Sequence, residues 1–164
     1  MAASQSVTEF WRRAATDAGL DPTAAVPEAW SFADTPDLAD ALLTAVISGR
    51  KTGTSTSVAE LEADGDPVPQ VGELSILTDG AGIPRALIRT TSVIISAFDD
   101  VDAAFAASEG EGDLSLEAWR TGHAAYFERV LARRGLPISQ LGPLPLVLER
   151  FELLYAEAPG ADSR

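Results

Sequence analysis

Cysteine is absent from the 164-residue chain, which excludes disulfide bonds and thiolate metal sites. Histidine occurs once, at His123, so a site of several histidines is also excluded, and we expect no metal and no cofactor. No apolar run approaches the roughly 20 residues of a membrane span, and Met1 to Gln5 lacks the pattern of a signal peptide. We therefore expect a cytoplasmic protein with no membrane partner.

Basic residues are few, with 12 lysines and arginines against 25 acidic residues and a formal net charge of −13. Binding to a phosphate backbone relies on arrays of basic side chains. A chain this acidic repels long nucleic acid unless its charges are strongly segregated. The composition therefore favours a small ligand held in a pocket over a long RNA.

The length predicts one globular domain, and apolar spacing predicts its secondary structure. The predicted helices cover residues 6–19, 35–47, 98–107 and 115–134, and the predicted strands cover 74–78, 85–95 and 144–155. Residues 21–34 are predicted to form a connection in which Trp30 and Phe32 anchor to the core. The alternative for these two aromatics is a wall on which a base stacks.

The segment 48–57 follows the second predicted helix and leads into β-prone residues. Gly49 is placed to end that helix, because glycine adopts positive φ without a steric penalty. In an extended chain Lys51, Gly53 and Ser55 face one way, and the intervening threonines face the other. A glycine between threonines leaves room for a ligand to approach the backbone.

Lys51 is the only lysine of the sequence, and a desolvated lysine, unlike an arginine, can lose its proton and act as a base. The functional interpretation is that Lys51 activates the hydroxyl of Thr54 or a water molecule. The alternative is a solvated turn lysine beside an ordinary threonine-rich strand. Residue types alone favour the alternative.

The loop 109–113 carries three carboxylates before the long helix. Asp113 is predicted to cap that helix, whereas Glu109 and Glu111 have no obvious capping role. His123 lies four residues after Trp119 on the same helical face, which favours a packed, hydrogen-bonded histidine over a catalytic one.

Gly-Arg-Lys-Thr-Gly-Thr at positions 49–54 resembles the G-x-K-x-x-T signature of the ASCH domain family, the activating-signal-cointegrator homology domains. Further segments of the sequence agree with the family in order: Trp30-Ser31-Phe32, Leu38-Ala39-Asp40, Val71-Gly72-Glu73-Leu74 and the stretch from Glu109 to Arg120. The resemblance covers roughly residues 28–155. One position departs from the pattern, because Thr56 stands where many members have an arginine.

The resemblance implies an α+β fold with a PUA-like, mostly antiparallel β-barrel flanked by helices. On this basis residues 28–156 form the ASCH domain and residues 1–27 form a helix and connection packed on it. Residues 157–164 are predicted to be a flexible tail.

The resemblance also implies a function on RNA or a modified nucleoside through a cleft of lysine, threonine and glutamate. Lys51 and Thr54 match the first two, and Glu109 is the first choice for the third, with Glu111 as the second. The implied reaction is amide hydrolysis of an acylated cytidine, or RNA cleavage, and the alternative is a non-catalytic RNA- or nucleotide-binding module. The expected partner is a small nucleoside or a short single-stranded RNA. The candidate ligand-binding residues are Trp30, Phe32, Arg50, Thr52, Ser55, Trp119 and His123.

Overall fold

The computed structural model describes residues 2–33, 35–136 and 138–157, with side chains from residue 7 onward. The helices are α1 (Ala2–Asp17), α2 (Pro36–Ile47), α3 (Val58–Asp64), α4 (Ala103–Ser108) and α5 (Leu116–Arg133), and a 3-10 turn spans Phe98–Asp100. The strands are β1 (Glu28–Trp30), β2 (Gly53–Ser57), β3 (Leu74–Thr78), β4 (Pro84–Ala97) and β5 (Pro145–Ala156). Within these residues, every helix is too short or too polar to cross a lipid bilayer.

The strands form one mixed sheet in the order β1-β3-β4-β5-β2. β1 pairs with β3 in parallel, whereas β3 with β4 and β2 with β5 pair antiparallel. The predicted α+β class with a mostly antiparallel sheet is therefore confirmed. By its internal contacts the chain divides into two compact units, of which the first comprises the described residues of Met1–Arg50, Gly72–Arg89 and Phe151–Arg164. The second comprises Lys51–Val71 and Thr90–Arg150, again over the described residues.

In the first unit, α1 and α2 pack against alternate side chains of the β3–β4 hairpin, because successive residues of a strand point to opposite faces. The residues that pack with α1 are Ile76 and Leu87, and those that pack with α2 are Leu77, Ala86 and Ile88. The helices contribute Phe10, Trp11, Ala14 and Ala15 from α1, and Leu43 and Val46 from α2. Both sides of the hairpin are thus apolar.

The second unit has its core between α5 and β5. Trp119 and Phe127, eight residues apart on one face of α5, join Leu146 and Leu148 of β5 in one buried cluster. The ring of Phe98 also contacts the rings of Trp119 and Phe127. This cluster fixes α5, and therefore the side chains that α5 presents near its N-terminus.

Several local predictions are confirmed and several are wrong. Thr35 caps α2 with its side chain and Pro36 opens the helix, as predicted. The predicted helix at 98–107 is instead a 3-10 turn followed by α4, because the side chain of Asp102 accepts the Phe105 amide and starts a new helix. α1 begins at Ala2 rather than at residue 6, and β1 lies in the predicted connection.

Glu157, the last described residue, makes hydrogen bonds within the first unit. Its carboxylate accepts hydrogen bonds from Arg13 at 2.8 Å and from the hydroxyl of Tyr155 at 2.8 Å. Its backbone amide donates to the carbonyl of Arg85 at 2.8 Å. Residues 158–164 lie outside the described part of the chain, so the tail there stays a prediction.

Candidate active site

Strand β2 and the end of α4 lie in direct backbone contact within the second unit. The amide of Thr52 donates to the carbonyl of Ser108 at 2.7 Å. A Cβ atom at Gly53 would clash with the hydroxyl of Ser108, so glycine suits this close approach. The contact brings the residue before Thr52 next to the residue after Ser108.

Those two residues are Lys51 and Glu109, which form a buried ion pair. The Nζ atom of Lys51 lies 3.3 Å from Oε1 of Glu109. It also donates to the backbone carbonyl of Glu109 at 3.3 Å. The exposed fractions of the two side chains are 2% and 3%. The structure therefore brings together the lysine of the sequence signature and the first-choice glutamate, although 58 positions separate them.

Glu109 is held as a carboxylate by three further donors that converge on its Oε2 atom. These are the hydroxyl of Ser55 at 2.8 Å, the indole N–H of Trp119, and Nε2 of His123 at 3.2 Å. Burial alone would raise the pKa of Glu109. The hydrogen bond from His123, the charge of Lys51 and the other donors outweigh burial and lower the pKa from 4.5 to about 2.

His123 lies between two carboxylates. Its Nε2 atom is 3.2 Å from Glu109 and 3.4 Å from Oε2 of Glu111, and its Nδ1 atom is 2.9 Å from the carbonyl oxygen of Trp119. The imidazole stacks on the Trp119 ring with the centroids 4.2 Å apart. Burial opposes the imidazolium, but the hydrogen bond to Glu109 and the charges of both glutamates outweigh it, so the pKa of His123 is raised.

Glu111 occupies a loop between two glycines in the left-handed conformation, Gly110 with φ 71° and Gly112 with φ 58°. Its side chain is 34% exposed, against 3% for Glu109. Both glutamates of the loop thus reach His123, one from the protein interior and one from the solvent side.

Asp113 does not cap α5, which corrects the sequence prediction. The cap is Ser115, whose hydroxyl accepts the amide of Ala118 at 3.1 Å. Asp113 lies two residues before the cap and instead accepts the amide of Ser115 at 2.9 Å. Leu114 between them has φ 69°, so the chain reverses there before the helix begins.

Thr54 lies on the opposite face of β2 from Ser55. Residues paired across an antiparallel ladder share a face, and Thr54 is paired with Glu149 of β5. The buried Glu149 accepts a hydrogen bond from Thr90 at 3.3 Å. The hydroxyl that donates to Glu109 beside Lys51 therefore belongs to Ser55. This agrees with the predicted alternation, in which Lys51, Gly53 and Ser55 face the same way.

The remaining candidate ligand-binding residues are not among the contacts described above for this cluster. Arg50 and Thr52 flank Lys51 and are exposed. Trp30 and Phe32 belong to the first unit, where their rings meet edge to face at 5.0 Å. Phe32 is buried with the α2 core, which confirms core packing for it, and the half-buried Trp30 packs against the same cluster.

Glu109, Glu111 and His123 each offer a ligand atom within 4.8 Å of the others. Carboxylates and an imidazole are suitable donors for a divalent cation. However, the Glu109 oxygens already accept hydrogen bonds from Lys51, Ser55 and other donors, and a metal would need His123 without its Nε2 proton. We therefore assign these residues to a hydrogen-bonded cluster and not to a metal site.

The comparisons with known proteins agree with this architecture. The ASCH domain model matches residues 28–155. The crystal structure of protein EF3133 from Enterococcus faecalis V583, described under the family name DUF984, is 33% identical in sequence, with a TM-score of 0.79 over 91% of this chain and 88% of that chain. The crystal structure of an ASCH domain from Lactobacillus crispatus JV V101 is 28% identical, with a TM-score of 0.79 over 94% of this chain and 96% of that one. No curated protein matches the chain.

The family match covers most of the sequence, including Lys51, Thr54, Glu109 and His123. The resemblance noted in the sequence and the PUA-like α+β fold that it implied are both confirmed. This chain belongs to the ASCH domain family.

Proposed function

We propose that this protein hydrolyses the amide bond of an acylated nucleoside, with cytidine as the preferred base. Lys51, reacting as the neutral amine, takes a proton from the attacking water, and Glu109 holds the lysine in place by accepting its hydrogen bond. The products are a free carboxylic acid and the nucleoside with its amine restored. Thr54, the predicted nucleophile, stays an alternative to water.

The observation that carries this proposal is the buried pair of Lys51 and Glu109, 3.3 Å apart and almost fully removed from solvent. A buried ion pair is a poor source of stability, because desolvation offsets the attraction of the charges. A site of low dielectric, by contrast, strengthens every electrostatic interaction of a reacting group. The burial of the pair is therefore weak evidence for a purely structural role, and its site suits a reacting group.

The family and the net charge support this substrate class. ASCH domains are associated with RNA and its nucleosides, and some members are amidohydrolases with a lysine, a threonine and a glutamate. The net charge of −13 disfavours a long polyanion. A single nucleoside carries no phosphate, so it is not repelled, and it presents an amide when its base is acylated.

The proposal is tested by incubating the purified protein with N4-acetylcytidine and measuring released cytidine by chromatography. Lys51→Met removes the amine at similar volume, and Lys51→Arg keeps the charge but cannot accept a proton. Arg133→Met is the matched control, because it removes one positive charge at an exposed position near the end of α5. Loss of a general base lowers turnover by about 100- to 10,000-fold, which we expect for both Lys51 variants and not for the control.

Three results would redirect the proposal. Turnover by Lys51→Arg close to that of the wild type would make Lys51 a binding charge rather than the base. Binding of the nucleoside without any turnover by the wild type would support the non-catalytic binding module instead. Cleavage of a short single-stranded RNA in place of the nucleoside would support a ribonuclease.

A further inference from the structure

The proposed hydrolysis needs a second group, one that protonates the departing amine. An amide nitrogen leaves poorly as an anion, so a positioned acid must supply a proton as the carbon–nitrogen bond breaks. In the family resemblance this role falls to the glutamate. Glu109 does not suit this role, because Oε1 accepts a hydrogen bond from Lys51 and Oε2 accepts from Ser55 and Trp119, so its carboxylate has no proton to give.

His123 is the neighbouring group that carries a transferable proton. Its Nδ1 atom faces the carbonyl oxygen of Trp119, which can only accept a hydrogen bond. Its Nε2 atom faces Oε2 of Glu109, an oxygen that already accepts from Ser55 and Trp119. Both ring nitrogens therefore need a hydrogen atom, and only the imidazolium provides both.

The position of His123 also suits a proton donor. Its side chain is 13% exposed, whereas those of Lys51 and Glu109 are almost completely buried. The solvent side of Nε2 is covered by Glu111, at 3.4 Å on a loop flanked by glycines. A substrate that displaces the half-exposed Glu111 carboxylate reaches the Nε2 proton without disturbing the buried pair.

We propose that His123 is the general acid of the reaction and that Glu109 connects it to the base. This inference rests on the proposed function. The attacking water gives a proton to the neutral amine of Lys51 and bonds to the acyl carbon, the carbon–nitrogen bond breaks, and the Nε2 proton of His123 passes to the leaving nitrogen. Neutral His123 keeps its Nδ1 proton on the Trp119 carbonyl.

The two oxygens of Glu109 explain how Lys51 and His123 return to their starting protonation states. Oε1 contacts Lys51 and Oε2 contacts His123, so one carboxylate touches the group that gained a proton and the group that lost one. Transfer of the proton from Lys51 to His123 through Glu109 restores both starting states. The charged groups that face His123 are Glu109 from the end of α4, Glu111 from the loop and, across Glu109, Lys51.

The test compares wild type, His123→Gln and Lys51→Met on two substrates, N4-acetylcytidine and N4-acetyl-5-fluorocytidine. The fluorine withdraws electrons and makes the amine a better leaving group, so it lessens the need for an acid. We expect His123→Gln to lose about 100- to 10,000-fold in kcat on the first substrate and clearly less on the second. The wild-type kcat falls as pH rises through the pKa of His123, and this limb of the profile disappears in the variant.

Glutamine places an amide donor near the Nε2 position, and His123→Asn, with a donor near Nδ1, serves if the glutamine variant does not fold. Thr121→Ala on the exposed face of α5 is the control. The acid role is overturned if His123→Gln loses the same factor on both substrates and its kcat still falls at high pH as in the wild type. It is also overturned if His123→Gln turns over like the wild type while Lys51→Met is inactive. If the wild type hydrolyses neither substrate, the proposed function fails, and this inference fails with it.

Discussion

Ser55 donates a 2.8 Å hydrogen bond to the buried carboxylate of Glu109, and Thr54, its neighbour in β2, points to the other face of the sheet. The two adjacent hydroxyls therefore have different roles. The Ser55 hydroxyl stabilises the buried carboxylate of Glu109, whereas Thr54 lies beside Glu149 of β5. Substituting each one separately distinguishes these roles.

Ser55→Ala is expected to reduce the free energy of unfolding by roughly 1.5–3 kcal/mol, the range for a hydrogen bond to a charged group. Thr54→Ala, at a half-buried strand position, is expected to cost less than about 1 kcal/mol. Urea denaturation of both variants measures the difference. Equal losses would show that the bond to Glu109 adds nothing beyond strand packing.

Thr54→Ala also tests the nucleophile. Because the Thr54 side chain faces away from Ser55 and its partner Glu109, we expect the variant to keep turnover of N4-acetylcytidine within about threefold, since water attacks. Mass spectrometry of quenched wild-type enzyme checks the same point. An acyl group trapped on Thr54, together with an inactive variant, would establish the threonine as the nucleophile that the family resemblance implies.

The acid limit of stability is set in part by Glu109. Its pKa is about 2 in the folded protein and ordinarily 4.5, so its stabilisation is complete above about pH 4.5 and is lost as the pH falls toward 2. The difference corresponds to roughly 3 kcal/mol. Melting temperatures from pH 6 to pH 2 should fall for the wild type and fall less steeply for Glu109→Gln.

Glu128→Gln is the control for that series, because it removes an exposed carboxylate from the same unit. Its melting curve should follow that of the wild type at each pH. A Glu109→Gln variant that loses stability between pH 5 and pH 2 as steeply as the wild type would contradict the low pKa of Glu109.

A chelator should have no effect on this protein. The Glu109 oxygens accept hydrogen bonds from protein donors, and the Nε2 proton of His123 occupies the place that a cation would take. We therefore expect EDTA to leave the melting temperature and the hydrolysis rate unchanged, and millimolar Mn²⁺ or Zn²⁺ to add no stability. Loss of activity in EDTA that Mn²⁺ restores would make Glu109, Glu111 and His123 a metal site.

Much of the site could be predicted from the sequence. The period of two in an extended chain placed Lys51 and Ser55 on one face, which the bond from Ser55 to Glu109 confirms. The long-range meeting of Lys51 and Glu109 came from the family resemblance, because no local pattern relates two residues 58 positions apart. What the sequence did not reveal was the partner of each polar group in three dimensions.

The errors have local causes. Asp113 is of a residue type that commonly caps helices. However, Leu114 has a positive φ, and α5 is capped by Ser115 instead. Strand β1 is only three residues long and is defined by its pairing with β3 rather than by its own residues. Short elements of this kind depend on tertiary contacts, and propensity alone does not predict them.

The close approach of Gly53 to Ser108 has a consequence for sequence variation. In a saturation library at position 53, every side chain would have to displace the Ser108 hydroxyl, which is itself bonded to the carbonyl of Phe105 at 2.6 Å. Selection for folded protein should therefore favour glycine, and alanine at 53 should be better tolerated together with a smaller residue at 108. The two positions are expected to covary, so the pair can be used to judge which sequences that carry the lysine signature also bring that lysine to the carboxylate at the end of α4.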